Sequence, residues 1–294
     1  MSKRSSKTIA TITLFVLAII WGLGYIGVTD ALNKGWSALP IVFLRCTVAV
    51  IIILPFTIKK SYRDKGLFKG GILIGLSAFG GYTFQTYGQS MTTIGATSFI
   101  TSLYIIVVPL ILRIFFRKRE GWIIYLSSAI AIIGCLLLNI KLPISFDTSN
   151  ILGNVLVFIG TIFFALQIIS IAKFTQKYDV LQLTVIELFT MSFLALIGMS
   201  IIGDFSFHTE GLFSVIWVGV LSSGLCSVLQ MWGEKHLHAS VSGIIMSLEA
   251  VFGLIFAMIF FDEYLNWIQI IGCTLILIPV ILCQIPIKDK KYLK

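Results

Sequence analysis

The 294-residue chain is 57% hydrophobic and only 12% charged, with a mean hydropathy of +1.00. A soluble domain with so little charge would not stay dispersed, so the composition excludes the soluble classes and points to an all-α integral membrane protein. The net charge of +9 does not imply nucleic acid, because the basic residues sit in short clusters between apolar runs. The expected partners are the lipid bilayer and a small-molecule substrate, with the chain acting as a monomer or weak homodimer and with no nucleic acid.

Lys3, Arg4 and Lys7 precede the first apolar run, as in a signal peptide, but no small-residue cleavage site follows and the run continues into Trp21-Gly-Leu-Gly-Tyr25. An uncleaved first span is expected. From there the apolar runs, each roughly 18–22 residues long and bounded by charge, Gly or Pro, predict ten spans. The first five are Thr8–Val28, Leu39–Ile58, Gly70–Gln89, Ala96–Phe116 and Gly121–Ile140. The second five are Ile151–Ile171, Leu181–Ile202, Leu212–Gly233, Ser240–Phe261 and Trp267–Ile285.

Assigning Lys and Arg to alternate sides puts all of them on one face except Lys34 and Lys141, with Arg45 inside a span. By the positive-inside rule the crowded face is cytoplasmic, as are both termini, in a multi-pass protein of the cytoplasmic (inner) membrane.

The chain also repeats itself. Thr101-Ser102-Leu103 lies over Met246-Ser247-Leu248, a displacement of 145 positions (101 to 246). Without gaps, Phe84-Gln85-Thr86-Tyr87-Gly88-Gln89 then covers Leu229-Gln230-Met231-Trp232-Gly233-Glu234, Phe115-Phe116 covers Phe260-Phe261, and Trp122 covers Trp267. This predicts a duplication into 1–145 and 146–294, each with five helices. Five is odd, so the second copy enters from the opposite side: ten transmembrane helices as two inverted five-helix repeats, which suits alternating access.

Span nine, SLEAVFGLIFAMIFFDE, followed by a last span containing Gly272, resembles the repeat of EamA-type carriers of the drug/metabolite transporter superfamily. The first half carries a weaker copy, with Pro109, Glu120 and Ile133-Gly134-Cys135-Leu136. Two positions depart from that pattern: Ala250 stands where proline is common, putting a kink there in doubt, and Asp262 replaces the glycine before Glu263. The resemblance implies export or exchange of small metabolites, often amino acids or related compounds. It also implies a central cavity lined mainly by spans three, four, eight and nine, with one and six contributing.

Glu249 is the sharpest candidate. An ionisable group at membrane depth faces a partner, a cavity or a substrate path, so it is read either as a coupling carboxylate or as a structural one. Its repeat counterpart is the neutral Tyr104. Gln85 and Gln230 are equivalent amides, read as substrate contacts or as helix-to-helix glue. Trp21 and Tyr25, at i and i+4 beside Gly22 and Gly24, and Tyr82 complete the substrate-binding candidates, although an aromatic belt also accounts for such residues. Arg45 and Glu187, at similar depths in equivalent spans, are read as an ion pair, structural or zwitterion-recognising, or with Arg45 snorkelling outward. Trp122 and Trp267 read as belt residues, Asp30 and Lys34 as exposed loop charges, and His236 and His238 as solvated. The five cysteines (Cys46, Cys135, Cys226, Cys273 and Cys283) fall in apolar spans without CxxC, so no disulfide, metal or cofactor is expected.

Not an enzyme is the expectation. There is no HExxH, Leu221-Ser-Ser-Gly224 lacks the first glycine of a rhomboid-like site, and Ile201-Ile-Gly-Asp204 misses the Gly-x-Gly-Asp of an aspartyl type. No GxxxxGK[ST] loop supports ATP-driven transport. The function predicted is a secondary active transporter exporting small organic metabolites, driven by a proton gradient or by exchange. The alternative is a passive channel or facilitator for small polar solutes.

Overall fold

The computed structural model describes residues 3–117, 121–138, 151–261 and 267–282. Lys118, Arg119, Glu120, Lys141, Asp262, Glu263, Cys283 and the basic residues from Lys288 to Lys294 lie outside them, as do the side chains of Cys135 and Cys273. Among the described residues all regular structure is helical. The first half runs α1 (Lys3–Asn33), α2 (Ala38–Ile53), α3 (Lys65–Gln89), α4 (Ile94–Ser102), α5 (Tyr104–Ile114) and α6 (Trp122–Leu138). The second runs α7 (Ile151–Phe174), α8 (Val180–Ile202), α9 (Leu212–Trp217), α10 (Cys226–His236), α11 (Ala239–Met246), α12 (Leu248–Phe261) and α13 (Trp267–Leu282), with a π-helical segment, Val218–Leu225, joining α9 to α10. Among the described residues eight rods are long and apolar enough to cross a bilayer, counting α4–α5, α9–α10 and α11–α12 as one each. Shorter apolar stretches, Trp122–Gly134 and Ile270–Pro279, lie in α6 and α13. The protein is a multi-pass helical membrane protein.

The 145-residue displacement is visible in space. α4 and α11 begin 145 positions apart, as do α6 and α13. Two side-chain hydrogen bonds join a residue to its own counterpart: Thr47 to Ser192 at 2.7 Å and the Tyr104 hydroxyl to Glu249 Oε1 at 3.0 Å. Equivalent positions of two copies meet only where a twofold-like relation brings the same surface of each face to face. α2 and α8 run antiparallel there, since Leu39 approaches Gly198 while Thr47 meets Ser192.

The α4–α5 and α11–α12 rods break at Leu103 and Ser247, at or beside the equivalent serines Ser102 and Ser247, and neither break needs proline. Ser102 and Ser247 each turn their hydroxyl back onto the carbonyl three residues earlier, Phe99 and Ile244, at 2.7 Å. Such back-bonding competes with the helical ladder and bends it. Ala250, where a kink was in doubt, therefore sits just past a break that Ser247 makes. Pro109 lies within α5 and lacks the N–H that would reach the Ile105 carbonyl. Ser128 of α6 donates to that carbonyl at 3.2 Å, so the freed acceptor is satisfied inside the bundle.

Small residues set the close approaches. Gly71 and Gly75 of α3 lie against Ile186 and Thr190 of α8, as their spacing suggested. A Cβ at Gly219 would stand 2.9 Å from the Arg45 carbonyl, so only glycine lets the π segment close onto α2. Trp122 and Trp267 are exposed at the starts of α6 and α13. The α1–α2 turn is tied to the α8–α9 connection by Trp36 donating to the Glu210 carbonyl (2.8 Å) and Ser37 donating to Asp204 (2.6 Å). Asp30 and Lys34 are not free loop charges: they pair at 2.9 Å, and Asp30 also accepts from Ser214.

Candidate functional site

A cavity lies where the two halves meet, walled by α1, α2, α3, α4, α5, α7, the π segment, α10, α11 and α12. Every predicted substrate-binding candidate is in its wall: Trp21, Tyr25, Tyr82, Gln85, Tyr104, Gln230 and Glu249. Arg45 is there too, whereas Glu187 is not. The cavity measures about 40 Å³, room for a few waters.

Glu249 sits in the first turn of α12, immediately after the break at Ser247. The break frees N–H groups at a helix start, which favours negative charge. Its Oε1 accepts from Tyr104, and the Tyr25 hydroxyl is also within hydrogen-bonding reach. Tyr25 Oη in turn accepts from Gln85 Nε2 (3.2 Å), which also donates to Thr101 (2.9 Å). One wall is thus a connected set in which donors converge on a carboxylate.

The opposite charge comes from α2, and it is not paired as expected. Among the described residues no ion pair joins Arg45 to Glu187; the ion pairs found are Lys34–Asp30 and Lys60–Asp179. Nor does Arg45 snorkel, being 3% exposed. Its Nε donates to Ser223 (2.6 Å) and its Nη2 to Ser222 (3.3 Å), and its guanidinium lies 4.4 Å from the centroid of the Tyr82 ring. Glu187 instead accepts from Gln167 Nε2 at 2.6 Å. The physical reason is register. The π segment widens the helix, a change that recurs at functional sites, and turns Ser222 and Ser223 to the guanidinium. Trp21 Nε1 takes the Ser222 carbonyl at 3.1 Å.

Several wall residues escaped the sequence reading: Gln89, Thr101, Gln167 and Ser222. Gln89 donates to the Tyr25 carbonyl (2.9 Å) and Thr29 (2.8 Å). A signal existed for it, since Gln89 and Glu234 occupy equivalent positions in the repeat. Glu234, expected at the turn after span eight, is fully buried on α10, which continues to His236. Tyr87 and Trp232, although equivalent, do not line the cavity. His236 is half-buried rather than solvated, with Nδ1 2.8 Å from the Trp232 carbonyl.

The cavity carries a cation held by neutral groups, a carboxylate held by hydroxyls, four amides and an aromatic lining that includes Phe164. Such a wall can recognise a small zwitterion, and among the described residues no group of three or more His, Cys, Asp or Glu could hold a metal ion.

The sequence profile of the EamA-like transporter family matches residues 8–140 and again 151–283. The chain belongs to the EamA-like transporter family. An uncharacterized transporter of Archaeoglobus fulgidus is 28% identical over 284 residues, covering 94% of this chain and 86% of that protein. An uncharacterized transporter of Helicobacter pylori is 26% identical over 260 residues, covering 82% of each. A crystal structure of a protein superposes with a TM-score of 0.76 at 12% identity, covering 95% of this chain and 96% of its own, a likeness of fold alone. The two EamA matches fall either side of the break between the halves, so two family repeats build the molecule. Membership and the named relatives make this a transport protein, and the cavity at the join of the EamA repeats is its candidate site.

Proposed function

We propose that this EamA-family protein is a secondary carrier that exports small zwitterionic metabolites, amino acids or close relatives, across the cytoplasmic membrane by alternating access. The observation that carries the reading is the single cavity wall bearing both Arg45 and Glu249 without an ion pair joining them. A carboxylate can take up the free valence of the guanidinium, in the bidentate geometry that Arg favours. An ammonium group can take up Glu249, and Trp21, Tyr82 and Phe164 can hold an apolar side chain between them.

The architecture supports this. Equivalent helices α2 and α8 run antiparallel, which favours two inverted five-helix repeats, 1–145 and 146–294, with ten spans, α6 and α13 supplying the fifth of each half. The Lys- and Arg-rich face then lies in the cytoplasm with both termini. A cavity of about 40 Å³ is far below the roughly 300–1,000 Å³ of small-molecule sites, so the site must widen to admit a substrate. Clefts of about 490 and 590 Å³ lie at the end marked by Lys69, Lys173 and Lys177, which favours opening towards the cytoplasm for loading.

The test uses purified protein in sealed proteoliposomes with radiolabelled amino acids. Accumulation above the external concentration, driven by a pH gradient or by counter-substrate, supports the carrier. Flux that only dissipates a gradient makes the protein a channel or facilitator.

A further inference from the structure

Behind the cavity wall lie two more carboxyl groups that the proposed carrier reading does not use. Glu187 on α8 is 1% exposed and Glu234 on α10 is 0% exposed. Each is held at one oxygen by a glutamine, Gln167 Nε2 to Glu187 Oε1 at 2.6 Å and Gln230 Nε2 to Glu234 Oε1 at 2.9 Å. In each the second oxygen, Oε2, is buried and has no hydrogen-bond partner. A buried polar atom left unpaired costs free energy and calls for a specific explanation, such as an exchangeable ion.

Among the described residues the surroundings supply no counter-charge. Among the described residues neither carboxyl group makes an ion pair. On α2, Arg45 is committed to Ser222, Ser223 and Tyr82, and the nearby Cys46 offers no cation. Tyr82 faces from α3. Glu187 and Glu234 lie on neighbouring helices. Their helices touch one turn away, where Thr184 meets Met231 at 3.3 Å. On α7, Lys173 lies over the Phe174 ring rather than on either acid. The repeat sharpens the case. The counterparts of Glu187 and Glu234 in the first half, 145 positions earlier, are Val42 and Gln89, so both acids belong to one half only.

The two glutamines are the link. Gln167 and Gln230 both line the cavity, so each carboxyl group is one amide removed from it. An ionised carboxylate only accepts, and the amide answers with its NH₂. A protonated carboxyl donates from one oxygen and still accepts at the other, so the amide answers with its carbonyl oxygen once a half-turn of the carboxyl group brings the O–H to it. The amide then turns over, and the cavity wall exchanges an acceptor for a donor.

We propose that Glu187 and Glu234 carry exchangeable protons, and that Gln167 and Gln230 transmit each proton's arrival to the cavity as a reversal of hydrogen-bonding sense. The step makes or breaks only an O–H bond: hydronium gives its proton to the open Oε2 and water takes it back, and the protonated carboxyl group turns its O–H to the glutamine. Glu249 is a separate group, so this site stands or falls apart from the substrate-binding reading; its role in coupling transport rests on that reading.

The test needs no substrate. Full-length protein in lipid nanodiscs is titrated between about pH 5 and pH 9 while infrared difference spectra follow the protonated-carboxyl and glutamine carbonyl bands. A carboxyl band that titrates, loses a component in E187Q and another in E234Q, and keeps both in E249Q is the expected result. Gln167→Met and Gln230→Met should retain the titration but shift the carboxyl band, and they serve if a glutamate variant fails to fold. A carboxyl band that does not change with pH in the wild-type protein overturns the proposal. So does a band unaltered in both E187Q and E234Q, or a titration that moves when sodium chloride replaces choline chloride.

Discussion

Arg45→Leu separates stability from recognition. The substitution removes two hydrogen bonds, to Ser223 at 2.6 Å and Ser222 at 3.3 Å, and the stacking on Tyr82 at 4.4 Å. Hydrogen bonds to a charged group contribute about 1.5–3 kcal/mol each, and a desolvated cation–π contact about 2 kcal/mol. Against this, a buried charge carries a desolvation cost of several kcal/mol that disappears with it, and the two serine hydroxyls can turn back onto their own helix. These nearly cancel, so unfolding should shift by no more than about 2 kcal/mol. Binding has no such compensation. Losing one partner of a buried charge pair costs about 2–5 kcal/mol, at least a ~30-fold loss of affinity. Calorimetric titration with an amino acid and with its decarboxylated amine reads the difference directly. The wild-type protein should prefer the acid, and Arg45→Leu should bind the two alike. A variant that keeps the preference, at normal stability, refutes the assignment of Arg45 to the carboxylate.

Other outcomes follow from single contacts. Ser128→Ala strands the Ile105 carbonyl that Pro109 leaves free and should destabilise by about 1–3 kcal/mol in thermal unfolding; the cost should shrink in a Pro109→Ala background, where the helix supplies its own donor. Gly219→Ala drives a methyl into the Arg45 carbonyl and should cost about 1–3 kcal/mol, measured as a lower melting temperature and a loss of binding together. Asp179 lies outside the spans at the start of α8. Burial pushes its carboxyl upward, but Lys60 and the Gln182 N–H outweigh that and hold it below its usual 3.8. Its contribution is therefore present at neutral pH and lost as pH falls below about 4. Asp179→Asn should flatten the acid limb of a melting-temperature profile, by a small amount because the pair is largely exposed.

Hydropathy and one repeated displacement were enough to read a multi-pass helical protein built of two repeats, because both are written along the chain. The cavity wall was legible for a related reason: Trp21, Tyr25, Gln85, Gln230 and Glu249 are polar or aromatic residues in runs that otherwise have no use for them. What the sequence hid was register in space. Arg45 and Glu187 match in depth, but the π segment presents Ser222 and Ser223 to the guanidinium, and Gln167 reaches Glu187 first. Nothing in residues 218–225 announces a π-helix. Likewise the breaks at Leu103 and Ser247 come from serine hydroxyls bonding backwards, which composition does not separate from serines that simply pack. Gln167 is a lone amide without a polar counterpart at its repeat position, Gly22, so periodicity gave it no weight.

In the proposed alternating access, one cavity between oppositely threaded halves opens to each side of the membrane in turn. A cysteine placed at Gln85, with the native cysteines replaced, can be probed in sealed vesicles of known orientation with a membrane-impermeant thiol reagent applied to one face at a time. Alternating access predicts modification from either face, with substrate shifting the balance from one to the other. Modification from one face only, with and without substrate, would contradict it.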